Sequence, residues 1–327
     1  MILTRTPLRI SLGGGGTDLP SYYEGFGGFV LSAAINKYVY ITVHRRFFPG
    51  YLLKYSEFET AAAVGDIRHP LLREALRDHG GDGDLEIVSI ADVPAGTGLG
   101  SSGSFLVGLL HALHAYRRNP VSAETLAREA VEIEMVRLGE PVGKQDQYVA
   151  AYGGLLCQHY HPNGEVTVEP LRLPPAVVHE LRDSLMLFFV GQTRSASTLL
   201  GEQKQRSESG DAAMIEGLHF TKDLGQRIKA ALEEGRVEDF GAMMHEHWLH
   251  KRARSRGMSN GAIDALYDLA CGPGGATGGK LVGAGGGGFL LFHTHDRRRL
   301  RRVMMEAGLG ELDFTFDFEG STVLLRD

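Results

Sequence analysis

Between Pro94 and Ser104 the chain runs Pro-Ala-Gly-Thr-Gly-Leu-Gly-Ser-Ser-Gly-Ser, a set of residue types suited to binding phosphate. Gly96, Gly98, Gly100 and Gly103 let the backbone turn and present its N–H groups without side-chain obstruction. The strong helical pattern from Ser104 to Tyr116 then adds free N–H donors and about half a unit of positive charge at its start. Ser101, Ser102 and Ser104 bring hydroxyls able to bond phosphate oxygen or to ligate Mg²⁺. The same residues would also make a glycine-rich turn with a serine N-cap, so the loop alone leaves both readings open. Two other phosphate motifs fail. The Gly96-x-Gly98-x-Gly100 spacing is not the dinucleotide pattern, and the Walker-like Gly274 to Lys280 run ends in Leu281 where a Ser or Thr is required.

Phosphoryl transfer also requires an aligned acceptor hydroxyl and a group to take its proton. Glu134, near the end of an expected helix, and Asp146, after a Gly/Pro break, supply carboxylates twelve residues apart. A carboxylate with serine and water oxygens is the hard-oxygen setting Mg²⁺ prefers. Read singly, Glu132, Glu134 and Glu140 would pass as solvated helix charges. Lys144 is either a surface cation or one that lowers the pKa of Asp146 and attracts phosphate. Arg9 and Asp18, nine apart, flank the first glycine cluster. Arg9 also fits an outward strand residue, and Asp18 a turn cap beside Thr17. The Gln192-Thr193-Arg194-Ser195 loop offers an arginine and hydroxyls to phosphate or sugar oxygens, or else an ordinary helix start.

The elements that must hold these residues follow from periodicity. Leu8–Leu12 and Leu85–Ile90 alternate as strands, each running toward a glycine cluster, and Phe29–Val43 is β-branched enough for one or two more. Helical spacing marks Pro70–His79, the stretch from an N-cap at Ser122 to about Leu138, Ala212–Glu234, Val237–Arg254 and Arg297–Ala307. Strands are expected at Ser184–Val190 and Gly288–Phe292, with closing strands near Phe314–Phe318 and Thr322–Leu325. The mixture is α+β or α/β. A polar, proline-bearing stretch places a division between residues 1–168 and 169–327.

Composition excludes several functions. The formal charge is −6 and no long basic face occurs, which gives no support for nucleic-acid binding; the Arg297–Arg302 cluster reads as the solvated face of a late helix. No stretch approaches ~18 uninterrupted apolar residues, so no membrane span is expected. Two distant cysteines and an N-terminus without an apolar signal core suit a soluble cytoplasmic protein, monomer or homodimer. The His159/His161, His245/His247 and His293/His295 pairs lack zinc-site spacing and are read as surface or partly buried, with Trp248 as core or substrate-wall packing. The 44 glycines concentrate in three clusters, at 13–16, 96–103 and 272–288, each bounded by apolar sequence, which makes them structured turns or close approaches rather than linkers.

Three motifs in order carry a resemblance. Pro7-Leu8-Arg9-Ile10-Ser11-Leu12-Gly13-Gly14-Gly15-Gly16-Thr17-Asp18, Pro94 to Ser102, and Lys280-Leu281-Val282-Gly283-Ala284-Gly285-Gly286-Gly287-Gly288-Phe289 resemble the three signatures of the GHMP kinases, the family of galactokinase, homoserine kinase, mevalonate kinase and phosphomevalonate kinase. The resemblance implies an α+β fold, with an N-terminal domain like ribosomal protein S5 domain 2, a C-terminal ferredoxin-like domain and a site between them. It implies ATP and Mg²⁺ as cofactors. Pro94, Gly96, Gly98, Leu99, Gly100, Ser101, Ser102, Gly103 and Ser104 would then cradle the nucleotide. Ser102 and Glu134 would ligate Mg²⁺, Asp146 would face the acceptor hydroxyl with Arg9 beside it, and Thr17 and Asp18 would meet the sugar. Gly143, Lys144, Gln145, Thr193, Arg194, Gly285 and Gly286 complete the substrate contacts it implies. The Gly-Glu-His-Thr-Asp of galactokinases is here Gly14-Gly15-Gly16-Thr17-Asp18, which puts galactose in doubt. The opening motif, Gly143 to Tyr148 and the Gln192-Thr193-Arg194 loop instead resemble D-glycero-D-manno-heptose 7-phosphate kinases. A substrate phosphate would need a cation from Arg194, Lys144 or the Lys251/Arg252 pair. Other readings are a fucokinase-type anomeric kinase, a mevalonate-branch decarboxylase or a non-catalytic nucleotide or sugar sensor.

Overall fold

A computed structural model describes residues 1–80, 83–191, 196–254, 257–283 and 285–327. The alternation of Leu8, Ile10 and Leu12 with Arg9 and Ser11 builds the long strand β1 (Ile2–Gly13), whose three apolar side chains are fully buried. It pairs antiparallel along its length with a single strand, β2 (Gly28–Arg45), where one or two were expected. The register shifts between Pro7 and Leu8, where proline has no N–H to give the ladder. The remaining members of this sheet are β3 (Tyr51–Lys54), β4 (Phe58–Ala61), β5 (Leu85–Ala91), β6 (Leu155–Tyr160), β7 (Val166–Pro170) and, from the far end of the chain, β12 (Thr322–Arg326). The path is β12-β1-β2-β5-β3-β4, with β6 and β7 added on β2. A second antiparallel sheet of β8 (Leu185–Phe189), β9 (Ala276–Leu281), β10 (Phe289–Thr294) and β11 (Gly310–Leu312) has the order β11-β8-β10-β9.

Helices α1 (Pro20–Phe26), α2 (Pro70–His79), α3 (Ser101–Tyr116), α4 (Ala123–Val131) and α5 (Gln145–Tyr152) accompany the first sheet. Helices α6 (Pro175–Ser184), α7 (Ala196–Glu208), α8 (Ala212–Glu233), α9 (Glu238–Arg254), α10 (Gly261–Cys271) and α11 (Arg297–Glu306) follow in the second half. Leu106, Val107, Leu109, Leu110 and Leu113 of α3 are sealed from solvent, and on its β1 side the missing side chain of Gly108 lets the helix settle onto the strand, where a Cβ would stand 2.7 Å from Thr6 Oγ1. Burial of five such side chains contributes on the order of 10 kcal/mol before entropy is counted. α8 crosses to pack on β1 and β2. There Gly13 meets Gly225, and a Cβ on the former would stand 2.9 Å from the latter's Cα. Part of the first glycine cluster therefore serves helix packing and not a ligand.

Several expectations shift. The helix expected from Ser104 begins at Ser101, because Gly100 takes the N-cap in the left-handed region with φ 77°. The helix expected to reach Leu138 does so through a wider π-helical turn at Glu132–Arg137, closed by Leu138 N–H to Ile133 O at 3.0 Å. Phe314–Phe318 makes only an isolated bridge, Ile35 to Phe316, instead of a strand. The division drawn after residue 168 passes through β7, and β12 returns to the first sheet. His247 and His293 are buried rather than superficial, and Trp248 is core, packed near Tyr267. Among the described residues no helix is long and apolar enough to cross a membrane.

Candidate active site

The three glycine clusters meet. A Cβ on Gly98 would stand 2.7 Å from Val282 O, and one on Gly283 would stand 2.7 Å from Gly98 Cα. No other residue type allows that approach, so the turns after β5 and β9 close on each other as one wall of a cleft. At the start of α3 the first hydrogen bond back along the chain is Ser104 N–H to Gly100 O at 3.0 Å. Among the described residues no protein acceptor meets the N–H groups of Gly96 and of residues 98–103, while Thr97 closes the turn at Ala95–Gly96. A row of free amides at a helix start is an anion seat. Gly96, Gly98, Gly100, Ser101 and Ser102 line the cleft.

Carboxylates and one arginine form the floor. Arg9 and Ser11, two apart on β1, point to the same side. Arg9 donates to Asp146 Oδ1 at 2.7 Å and to Gly98 O at 2.6 Å. Asp146 sits in the first turn of α5 and presses on α3, where a Cβ on Gly100 would lie 3.2 Å from its Cγ and one on Gly103 2.9 Å from its Cβ. Asp18 accepts N–H bonds from Gly16 at 3.1 Å and Gln145 at 3.2 Å. Burial, then the neighbouring Asp146 carboxylate, pushes the Asp18 carboxyl above its ordinary range, partly opposed by those N–H groups.

The π-helical turn delivers Glu134, which is buried and accepts from Ser102 Oγ and from Gln147 Nε2, the latter at 2.6 Å. Burial raises this carboxyl too, and the Ser102 and Gln147 hydrogen bonds offset only part of that rise. Ser102 and Glu134 together present hard oxygens at the cleft wall, a donor set that fits Mg²⁺. Ser11 Oγ, Gln145 Nε2 and Gln147 Oε1 are buried, line the cleft and have no protein partner. Buried polar atoms are normally paired. Three orphans on one cleft are what a polar ligand would satisfy.

Not every expected residue faces this space. Ser104 is turned inward, its hydroxyl donating to Pro7 O at 2.7 Å, and Leu99 is core. Pro94 and Gly103 do not line the cleft either. Thr17 is fully buried, its hydroxyl 2.8 Å from both Gly14 O and Phe29 O, so it shapes the turn under Asp18 and meets no substrate. Lys144 departs most. It precedes Asp146 by two positions at the start of a helix, which turns the two side chains to opposite sides. Its Nζ donates to Gly164 O at 2.5 Å and lies 4.8 Å over the Tyr23 ring, outside the cleft. Gly143 and Gln145 do line it, and Gly285 does while Gly286 gives its N–H to Met258 O at 3.1 Å. Thr193 and Arg194 lie outside the described residues, as does Ala284. Arg252 pairs with Asp264 at 3.1 Å, away from the cleft.

The second half supplies Lys251, already a candidate in the sequence, and Lys280, which sequence reasoning passed over. Lys280 on β9 is 2% exposed and lines the cleft, its Nζ 3.5 Å from His247 Nδ1. Burial, then the nearby Lys251 and Arg9 charges, holds its ammonium well below the usual lysine range. Lys251 on α9 donates to Leu281 O at 3.2 Å and Gly283 O at 2.5 Å, tying the helix to the third glycine turn. The lysine that opens the third motif was visible in the sequence; its burial was not.

Comparison with known proteins agrees with this geometry. A family model described as GHMP kinases N terminal domain matches residues 67–154, and one described as GHMP kinases C terminal matches residues 228–308. D-glycero-alpha-D-manno-heptose 7-phosphate kinase of Campylobacter jejuni subsp. jejuni is 31% identical, covering 98% of this chain and 97% of its own. L-fucokinase/L-fucose-1-P guanylyltransferase of Bacteroides fragilis is 26% identical over 92% of this chain and 36% of its own length. The crystal structure of a D-glycero-D-manno-heptose 1-phosphate kinase from Bacteroides thetaiotaomicron superposes with a TM-score of 0.81 at 26% identity, covering 99% of both chains. The chain belongs to the GHMP kinase family. It is an ATP-dependent phosphotransferase of the sugar kinase type, with an alcohol group as acceptor.

Proposed function

We propose that the enzyme phosphorylates the anomeric hydroxyl of D-glycero-D-manno-heptose 7-phosphate in the cytoplasm, giving the 1,7-bisphosphate and ADP. The observation that carries this reading is the likeness, along nearly the whole of both chains, to the Campylobacter jejuni heptose 7-phosphate kinase. In this mechanism the amides of Gly96, Gly98, Gly100, Ser101 and Ser102, at the start of α3, hold the nucleotide phosphates. Asp18 accepts sugar hydroxyls, with Gly143 and Gln145 shaping the pocket beside it. The acceptor oxygen attacks the γ-phosphorus, the bond to the β-phosphate oxygen breaks, and the hydroxyl proton passes to Asp146. Arg9 holds that carboxylate in place and offers positive charge to the transferring group. Ser102 and Glu134 would hold Mg²⁺, which when bound neutralises charge on the phosphates.

A free sugar is the second reading. Lys144, one expected partner for a substrate phosphate, is turned out of the cleft, and among the described residues Lys251 and Lys280 stand on the facing wall. The test is a panel of heptose 7-phosphate, L-fucose, D-mannose and D-galactose scored by ADP release, with the product's phosphate located by ³¹P NMR. Turnover of heptose 7-phosphate with a new anomeric phosphate is expected. Equal turnover of free fucose or mannose, with none of the heptose phosphate, would overturn the assignment.

A further inference from the structure

Among the described residues, one group of histidine, cysteine and carboxylate side chains converges closely enough to share an ion. His79, His114 and Glu129 bring their ligand atoms within 4.8 Å of one another, away from the catalytic cleft. We propose that these three residues hold a divalent transition metal, best matched by Zn²⁺, with water completing the coordination. His79 ends α2, His114 lies in the last turn of α3 and Glu129 in the last turn of α4, so no spacing in the sequence announces the group.

The geometry is close to what such an ion needs. Glu129 Oε2 lies 2.8 Å from His114 Nε2 and 3.5 Å from His79 Nε2. Ligand atoms about 2.0–2.1 Å from a tetrahedral Zn²⁺ stand roughly 3.3 Å apart. Side-chain rotations of about an ångström would therefore bring all three into place. Both imidazoles aim at one carboxylate oxygen, yet only His114 is near enough for a good hydrogen bond. The His79 ring, at 3.5 Å, makes only a longer contact with the same oxygen.

The surroundings add two observations. As placed, the Asn119 amide nitrogen Nδ2 lies 3.1 Å from His114 Nδ1 and donates to it. Turning that amide on metal binding would make its oxygen the acceptor of Nδ1–H and direct the Nε2 lone pair at the cluster, the outer bond that orients a metal-binding histidine. His79 and Glu129 also line a surface depression with Asp78, Glu132 and Arg137, which leaves room for a water ligand. Two imidazole nitrogens and one carboxylate favour Zn²⁺ over Mg²⁺, which prefers an all-oxygen shell. The ion would tie three helices together five residues ahead of Glu134, on the helix that continues into its π-helical turn.

The test uses the full-length protein stripped with chelator and returned to buffer with excess Mg²⁺, which occupies hard-oxygen sites. ZnCl₂ is titrated by calorimetry and CoCl₂ by visible absorption. One saturable equivalent at micromolar or tighter affinity is expected, with the intense visible bands of four- or five-coordinate Co²⁺ and a rise in Tm on adding Zn²⁺. His79→Gln and Glu129→Gln should each weaken Zn²⁺ binding at least tenfold and abolish the Tm rise. His79→Gln decides if a buried His114 variant fails to fold, because it removes a ligand at the end of α2. Absence of a saturable equivalent, or wild-type affinity in both His79→Gln and Glu129→Gln, overturns the proposal. None of these readouts depends on the sugar substrate.

Discussion

The two walls of the cleft manage charge in different ways. On the wall built by β1, α3 and α5, each ionisable group has a protein partner: Arg9 has Asp146 and Gly98 O, Asp18 has two backbone N–H groups, and Glu134 has Ser102 and Gln147. On the wall built by β9 and α9, Lys280 is sealed in with Lys251 nearby and, among the described residues, has no carboxylate at ion-pair distance. The first wall is organised before any ligand arrives. The second buries an amine without a counter-ion, which disfavours its charged form, and a bound polyanion would restore that charge. A lysine under those conditions is a poor stabiliser of the fold and a good receiver of phosphate.

The largest expected effect lies on the organised wall. Asp146→Asn should lower kcat by about 10²–10⁴ while leaving Tm and nucleotide affinity near wild type, because it removes a proton acceptor and keeps the shape. Steady-state kinetics with a thermal melt checks this, and a loss below fivefold would deny Asp146 the role of proton acceptor.

Next comes the facing wall. Lys280→Met should raise the KM for ATP or for a phosphorylated substrate by roughly tenfold, since a charge–phosphate contact of about 1.4 kcal/mol is lost. It should also raise Tm, because a well-packed apolar side chain replaces an uncompensated amine. A fall in Tm with unchanged KM would mean that Lys280 is structural and that the contrast between the walls fails.

The smallest effect concerns Glu134, whose carboxyl is raised by burial. A raised folded-state pKa means the ionised form is disfavoured in the fold, so this group's contribution is present at low pH and lost as pH rises through the folded value. Glu134→Gln cannot ionise, and Gln147, by turning its amide, can still bond it. The variant's Tm advantage should therefore be smallest in the acid range and grow as pH rises. Differential scanning at a series of pH values measures it. A Tm difference that shrinks with rising pH would contradict the sign. The same variant should need more Mg²⁺ for half-maximal rate.

Part of the site was legible in the residues themselves. Gly96 to Ser102 stand out by residue type in local order, whereas Arg9, Asp18, Glu134 and Asp146 are singled out through the family resemblance; α2 has the bounds its periodicity predicts, Pro70–His79. Ser11 could have been found as well, two places after Arg9 on an alternating strand. Lys280 could not be ranked above other lysines, because its importance comes from burial and from the company of Lys251 and Arg9. Lys144 was misread because adjacency in sequence near a helix start does not mean adjacency in space.

Local sequence determined which segments would turn, which would run as strand or helix, and which residue types were available for phosphate chemistry, since backbone sterics and side-chain periodicity act over a few residues. Only the tertiary structure decided that Gly98 closes on Gly283, that β12 returns to β1, and that His79, His114 and Glu129 converge from three helices. Those outcomes depend on packing between segments distant along the chain, where a missing Cβ or a buried charge acquires meaning only from what lies against it.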